Sequence, residues 1–277
     1  MNKKIKTFLK PHIEKMPFLA TSYRKVRDGW QIGREPQLTP NGFKLVGNLN
    51  MQAGNFEPLE TKIFKELAAD ADIVVNAGAN IGYYCCHALA MGKPVVAFEP
   101  IALNVRYLLK NLTANGWENK AEVFPIALTD KAGIATIYGG GTGASLIPGW
   151  AGFSPRQATM IPTSSMDLVL GHRFDGKKLF ILIDVEGVEY QLLEGAKNLL
   201  AADPKPTWMV EIDISQNIPD HGKNPTFLRA FELFWNYGYE SYAIGEKLLP
   251  FGRKQVEDLI ADRITLTSSN FVFKHKN

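Results

Sequence analysis

Ile73-Val74-Val75-Asn76-Ala77-Gly78-Ala79-Asn80-Ile81-Gly82 runs from a short apolar segment straight into a glycine-containing turn. Ile73 to Val75 reads as a buried strand and Asn76 to Gly82 as the turn that leads into a helix. Gly78 and Gly82 let the backbone approach a ligand closely, and Asn80 is the non-glycine residue that best tolerates a positive φ. Such a turn either holds a cofactor or simply joins a strand to a helix. It lacks the G-x-G-x-x-G spacing of a pyrophosphate loop.

Working outward, Leu59, Ile63, Phe64 and Leu67 share a helical face before the strand, and Val95 to Phe98 forms the next strand after it. Pro100 opens a helix whose expected buried face is Ile101, Val105, Leu108, Leu109 and Leu112, ended by Asn115-Gly116. Glu122 to Leu128 and Ile134 to Tyr138 are expected strands joined by a turn, and Leu179 to Ile183 is a fully apolar strand. Val188, Leu192, Leu193, Ala196, Leu199 and Leu200 form one helical stripe. Trp208 to Ile212, a helix from Asn224-Pro225 to Gly238, and strands at Tyr239 to Ile244 and Phe271 to Phe273 complete the pattern. Strands alternating with helices predict an α/β fold with a mainly parallel sheet covered on both faces.

Ligands of such sheets bind at the carboxyl ends of the strands, which here carry Asn76 to Gly82, Glu99, Leu128 to Asp130, Asp184 to Glu189 and Glu211 to Asp213. Glu99 ends the second strand 23 residues after Asn76, where nucleotide-binding α/β domains place an acid for ribose hydroxyls. That points to adenosine recognition. Asp184, Glu186 and Glu189 open a helix, where carboxylates also serve as caps favoured by the helix dipole. The functional reading has Asp184 facing a cofactor and Glu186 positioning or deprotonating an acceptor hydroxyl. Asp184 with Glu211 and Asp213 could offer oxygen ligands to magnesium, although the favoured reading carries no metal.

The chain has 277 residues, 45% of them hydrophobic, enough for one large core and incompatible with a disordered or disulfide-scaffolded protein. Its net charge of +3 is uneven. Residues 1 to 36 hold nine basic and three acidic residues, a net +6, so the remainder is −3. Balanced charge gives no reason to expect a nucleic-acid partner. No signal peptide is expected, because Pro11, His12, Glu14 and Lys15 interrupt the apolar run, and no stretch reaches 18 apolar residues. The two cysteines, Cys85 and Cys86, are adjacent and fit a cytoplasmic protein. The expected division is a helical basic extension over 1–42 and one domain over 43–277.

Other segments leave alternatives open. Gly139 to Ser145 lacks the ending of a Walker loop, so residues 139 to 160, with Trp150 and Phe153, read as either a lid or a surface loop. Among five histidines only His221, in a polar loop after a strand end, is a candidate base. Tyr83 and Tyr84 could wall a pocket or fill the core between helix and sheet, and core is favoured for one of the two.

The chain resembles the FkbM-type methyltransferases, within the class I (Rossmann-like) S-adenosylmethionine-dependent enzymes. The resemblance rests on Asn76 to Tyr84, Ala97-Phe98-Glu99-Pro100, Ile126-Ala127-Leu128, Ser165-Met166-Asp167, Ile183 to Glu189 and Ser269-Asn270-Phe271, and spans about residues 43 to 273. It implies that Gly78, Asn80 and Gly82 cradle the methionine part of the cofactor, Glu99 holds its ribose, and Ala127 and Leu128 lie near adenine. It also implies methyl transfer to a hydroxyl of a sugar, glycan or specialised metabolite. The family usually has aspartate where this chain has Asn76, an acid expected to help hold the cofactor's ammonium. The amide is therefore expected to weaken binding, by about 1 kcal/mol. A nicotinamide-dependent oxidoreductase would share the sheet and Glu99 but not the glycine spacing, and Asn76 leaves room for a non-catalytic binding protein. The basic extension reads as a docking or self-association segment.

Overall fold

A central sheet of eight strands organises the protein, whose computed structural model describes residues 34–219 and 222–275. The expected basic extension lies almost wholly outside the described residues. Where description begins, β1 (Gln37–Leu38) pairs antiparallel with β2 (Lys44–Leu45), so a boundary between residues 42 and 43 falls within a hairpin, and the one-turn helix α1 (Leu49–Gln52) follows.

Five strands of the sheet run parallel: β3 (Ile73–Ala77), β4 (Val95–Phe98), β5 (Ala121–Phe124), β9 (Leu179–Ile183) and β10 (Thr207–Glu211). The order across the sheet is β12, β11, β13, β10, β9, β3, β4, β5, with β11 (Tyr239–Ile244), β12 (Leu248–Pro250) and β13 (Asn270–His275) closing one side through antiparallel pairs. From β3 the chain winds outward to β4 and β5, then returns to add β9 on the other flank. The winding reverses between β3 and β9, and a crevice opens at the carboxyl ends of strands where that happens.

Alternation along the strands sorts side chains into two cores. Val75, Ala77, Phe98, Ile181, Ile183 and Val210 pack with α5 (Met166–Leu170), α6 (Glu189–Glu194), α7 (Lys197–Ala201), α8 (Phe227–Asn236) and α9 (Arg253–Ile260). Val74, Ala97, Phe180, Leu182 and Met209 face α2 (Pro58–Ala69), α3 (Tyr83–Ala90) and α4 (Ala102–Ala114). The expected mainly parallel sheet, covered on both faces, is what forms.

Four local expectations change. The strand read over Glu122 to Leu128 breaks at Pro125, which has no N–H for a ladder. Its second half, β6 (Ala127–Leu128), joins β7 (Gly133–Tyr138) and β8 (Ala158–Ser164) in a separate small sheet. The stripe from Val188 to Leu200 is two helices, interrupted at Gly195, where a Cβ would stand 2.2 Å from the Thr129 carbonyl oxygen. Asp167 caps the second of them through the backbone N–H groups of Asn198 and Leu199. Helix α4 is rotated from the expected face: Leu109 is 47% exposed while Asn104 and Asn111 are buried. Asn111 is tolerated inside because it bonds both Val46 backbone groups and the Ile81 carbonyl. Lastly, β12 and α9 form in a stretch where no element was expected.

Candidate active site

The crevice at the switch point is a cleft of about 590 Å³, counting its open mouth. Gly78, Asn80, Glu99, Ala127, Leu128, Asp184 and Glu186 all line it, although they come from four separate segments of chain. Two other expected cofactor contacts do not reach it. Asn76 lies on the same side of β3 as Val74 and is 2% exposed; its Nδ2 donates to Cys85 Sγ at 3.4 Å. Gly82 faces α4, where an added Cβ would stand 2.3 Å from Leu108 Cδ1. Strand alternation and helix packing, invisible in the motif, turn both away.

Gly78 has φ +84° and an added Cβ would lie 1.7 Å from the Asp184 carbonyl oxygen. The glycine is therefore demanded by the meeting of the β3 and β9 ends, which the Asp184 N–H to Ala77 O bond also joins. Asn80 adopts φ 50°, as its residue type anticipates. Its Oδ1 is buried without a donor.

Glu99 is 4% exposed, and burial raises its carboxyl to about 7 against the lowering pull of its donors. Those donors fix its direction: Asn80 N–H reaches Oε2 at 2.8 Å, while Ile101 N–H at 2.8 Å and Asn104 Nδ2 at 3.1 Å reach Oε1. Asn104 was not anticipated. Its signal is a polar residue four before Leu108, on what proves to be the buried face of α4.

The carboxylates after β9 divide by role. Glu189 is buried, accepts from Gly187 N–H at 2.7 Å and is raised by burial to about 8, a structural use in the first turn of α6. Glu186, at φ 57°, is raised by burial to about 7, and its Oε2 accepts from Trp150 Nε1 at 2.6 Å. Asp184 is raised by burial first, then by the like charges of Glu211, Glu186, Glu57 and Glu189. Among the described residues no three or more histidine, cysteine or carboxylate side chains form a group that could hold a metal ion, Asp184, Glu211 and Asp213 included. Glu211 instead accepts from Ser269 Oγ, and Asp213 from Asn217 Nδ2.

Residues 139 to 157 fold over the cleft as a pinned flap. Gly141, Thr142, Ala144, Ser145 and Leu146 form part of its wall, and Tyr138 and Ser145 exchange both backbone bonds. Trp150 is 1% exposed, and Ser145 Oγ donates to the Glu186 carbonyl at 2.5 Å. Tyr83 is core, as expected of one of the pair, but Tyr84 is no cleft wall and donates to Glu57 Oε2 at 2.7 Å. His221 lies outside the described residues.

A parallel sheet reversing at β3 and β9, with a buried acid at the end of β4 facing a glycine-containing turn, is a Rossmann-like architecture of the kind that class I methyltransferases adopt. The family model of the methyltransferase FkbM domain matches residues 76–241, more than half of the chain, and the chain belongs to that family. The match weighs against a nicotinamide oxidoreductase. Among solved structures, a methyltransferase FkbM from Methylobacillus flagellatus KT is 16% identical with a TM-score of 0.47, over 74% of this chain and 44% of that one. This chain thus spans less than half of that protein's length. A SAM-dependent methyltransferase from Agrobacterium tumefaciens is 11% identical over 85% of this chain and 65% of that one, TM-score 0.43. A comparison with curated proteins found no match. Among the described residues no helix is long and apolar enough to cross a membrane.

Proposed function

We propose that this chain uses S-adenosylmethionine to methylate a hydroxyl oxygen on a small-molecule or glycan acceptor, a sugar or specialised metabolite. The observation that carries this reading is Glu99, buried at the end of β4 and aimed by three donors within the cleft. A carboxylate has about four acceptor sites, so one remains on Oε2 for a ribose hydroxyl. The unpartnered Asn80 Oδ1 suits a cationic donor such as the cofactor's ammonium. Ala127 and Leu128 supply an apolar wall for adenine. These residues fit the cofactor, with Gly78 shaping the turn beside it.

S-adenosylmethionine brings a methyl group already activated on a positively charged sulfur. What remains for the protein is to align the acceptor oxygen and remove its proton, so orientation dominates the rate gain. Glu186 takes the proton in this reading: a carboxyl at about 7 is a base near neutral pH. Asp184, beside it, faces the cofactor. The domain is taken to run over 43–277, with the basic segment before it as a docking or self-association element.

Isothermal titration with S-adenosylmethionine tests the proposal. The wild-type chain binds, and Glu99→Gln weakens binding by about ten- to a hundredfold, the worth of a charged hydrogen bond. Absence of binding to the wild type overturns the reading. Transfer of labelled methyl across a panel of hydroxylated acceptors then separates an enzyme from a binding protein.

A further inference from the structure

Asn104 stands between the two halves of the cleft. It is 4% exposed, lies on α4, and uses both hydrogens of its amide: one on Glu99 Oε1 and one on the Gly141 carbonyl of the flap, each at 3.1 Å. The same Oε1 takes the Ile101 N–H, so its two acceptor sites are filled, whereas Oε2 has one site left beside Asn80 N–H. A ribose offers two adjacent hydroxyls. The first fits Oε2, and the second reaches Oε1 only by competing with Asn104.

We propose that Asn104 is a positioning residue that couples the ribose diol to the flap, because the hydroxyl that displaces its amide from Glu99 also disturbs its hold on Gly141. The flap segment concerned is short and well defined. Its amides bond across Tyr138 to Ser145 and from Gly139 to Gln157, while its far side is tied separately by Trp150 to Glu186. Loosening at Gly141 is therefore read first in the amides of residues 139–146, which flank it. Asn104 thus joins Glu99 directly to the flap. The inference rests on the reading that S-adenosylmethionine occupies this cleft.

Hydrogen exchange tests it on the intact chain, with S-adenosylhomocysteine and its 2′-deoxy and 3′-deoxy analogues as probes. In the wild type, amides of 139–146 exchange about threefold faster with the diol ligand than with either deoxy ligand at equal saturation, the scale of one weakened hydrogen bond. In Asn104→Ala that difference disappears while the diol ligand still binds, and Asn104→Gln, which restores two donors, recovers part of it. Equal exchange with diol and deoxy ligands in the wild type overturns the coupling, and needs no variant to fold. A diol-dependent difference that persists in Asn104→Ala also overturns it. Failure of every ligand to bind the wild type instead removes the cofactor reading on which the coupling stands.

Discussion

Glu186 shows how one residue collects constraints from three sides. Its backbone is left-handed, its carbonyl accepts the Ser145 hydroxyl, and its carboxylate accepts the Trp150 indole. A non-glycine residue at positive φ costs of order 1 kcal/mol, and such strain persists where the surroundings over-determine it. The indole N–H favours the charged carboxylate and so holds its pKa below the level that burial alone would set. Trp150→Phe removes that donor and keeps most of the ring. The Glu186 carboxyl, followed by NMR of its side-chain carboxyl carbon, then titrates at a higher pH than in the wild type; an unchanged midpoint would separate the indole from the acid. Asn76 gives the opposite lesson. The motif suggests a cofactor contact, but its amide sits beside Cys85 with Oδ1 unpartnered, on the far side of β3 from Ala77. An aspartate there would be a buried charge rather than a hand extended to the ligand.

At the scale of elements, the flap decides the shape of the cleft. Residues 139 to 160, read as either a lid or a surface loop, are neither loose nor featureless: Phe153 lies against Gly139 and Gly143, and Gly149 meets Pro219. The tightest joint is Gly187, at φ +97°, where an added Cβ would stand 2.5 Å from Trp150 Cζ3. Gly187→Ala is expected to push Trp150 outward and destabilise the fold by about 1–3 kcal/mol, the usual range for overpacking. Limited proteolysis read by mass spectrometry checks it, with cleavage rising within 139–157 and not elsewhere. The split of the helical stripe at Gly195 and the rotation of α4 arise similarly. In each, a contact with a distant segment outweighs the local pattern.

For the whole molecule, the crowding of buried acids at one edge of the sheet has a thermodynamic consequence. Glu57, Glu99 and Glu186 are raised to about 7 and Glu189 to about 8, all chiefly by burial. The native state therefore binds more protons than the unfolded chain between about pH 4.5 and 8, so stability present below that window is lost as pH rises through it. His87 acts in the other direction: burial lowers it to about 3, and its contribution is lost as pH falls below 6.5. Between pH 6.5 and 8 the raised acids outweigh what is left of the His87 contribution. The Tm is expected to fall by roughly 3 °C or more across that interval. Glu189→Gln, which keeps an acceptor for Gly187 N–H, makes the decline shallower; a Tm flat or rising from pH 6.5 to 8 contradicts the account.

Much of this protein was legible along the chain because the information is local. Alternating apolar runs and stripes set the strands and helices, while the reversal of winding between β3 and β9 was decided by how the strands pair. The glycine turn and Glu99 could be assigned to strand ends without coordinates, as could Asp184 and Glu186. Which of them face one another could not. A motif does not say on which side of a strand Asn76 emerges, nor that Gly78 is small for the sake of the Asp184 carbonyl. Asn104 and Trp150 carry no mark of function in sequence, since each gains its role from partners some 35 residues away, Gly141 and Glu186. Sequence periodicity determined the elements because it records interactions between near neighbours. Only the packing of those elements decided the site, because a cleft wall is made of contacts between segments that the chain brings together last.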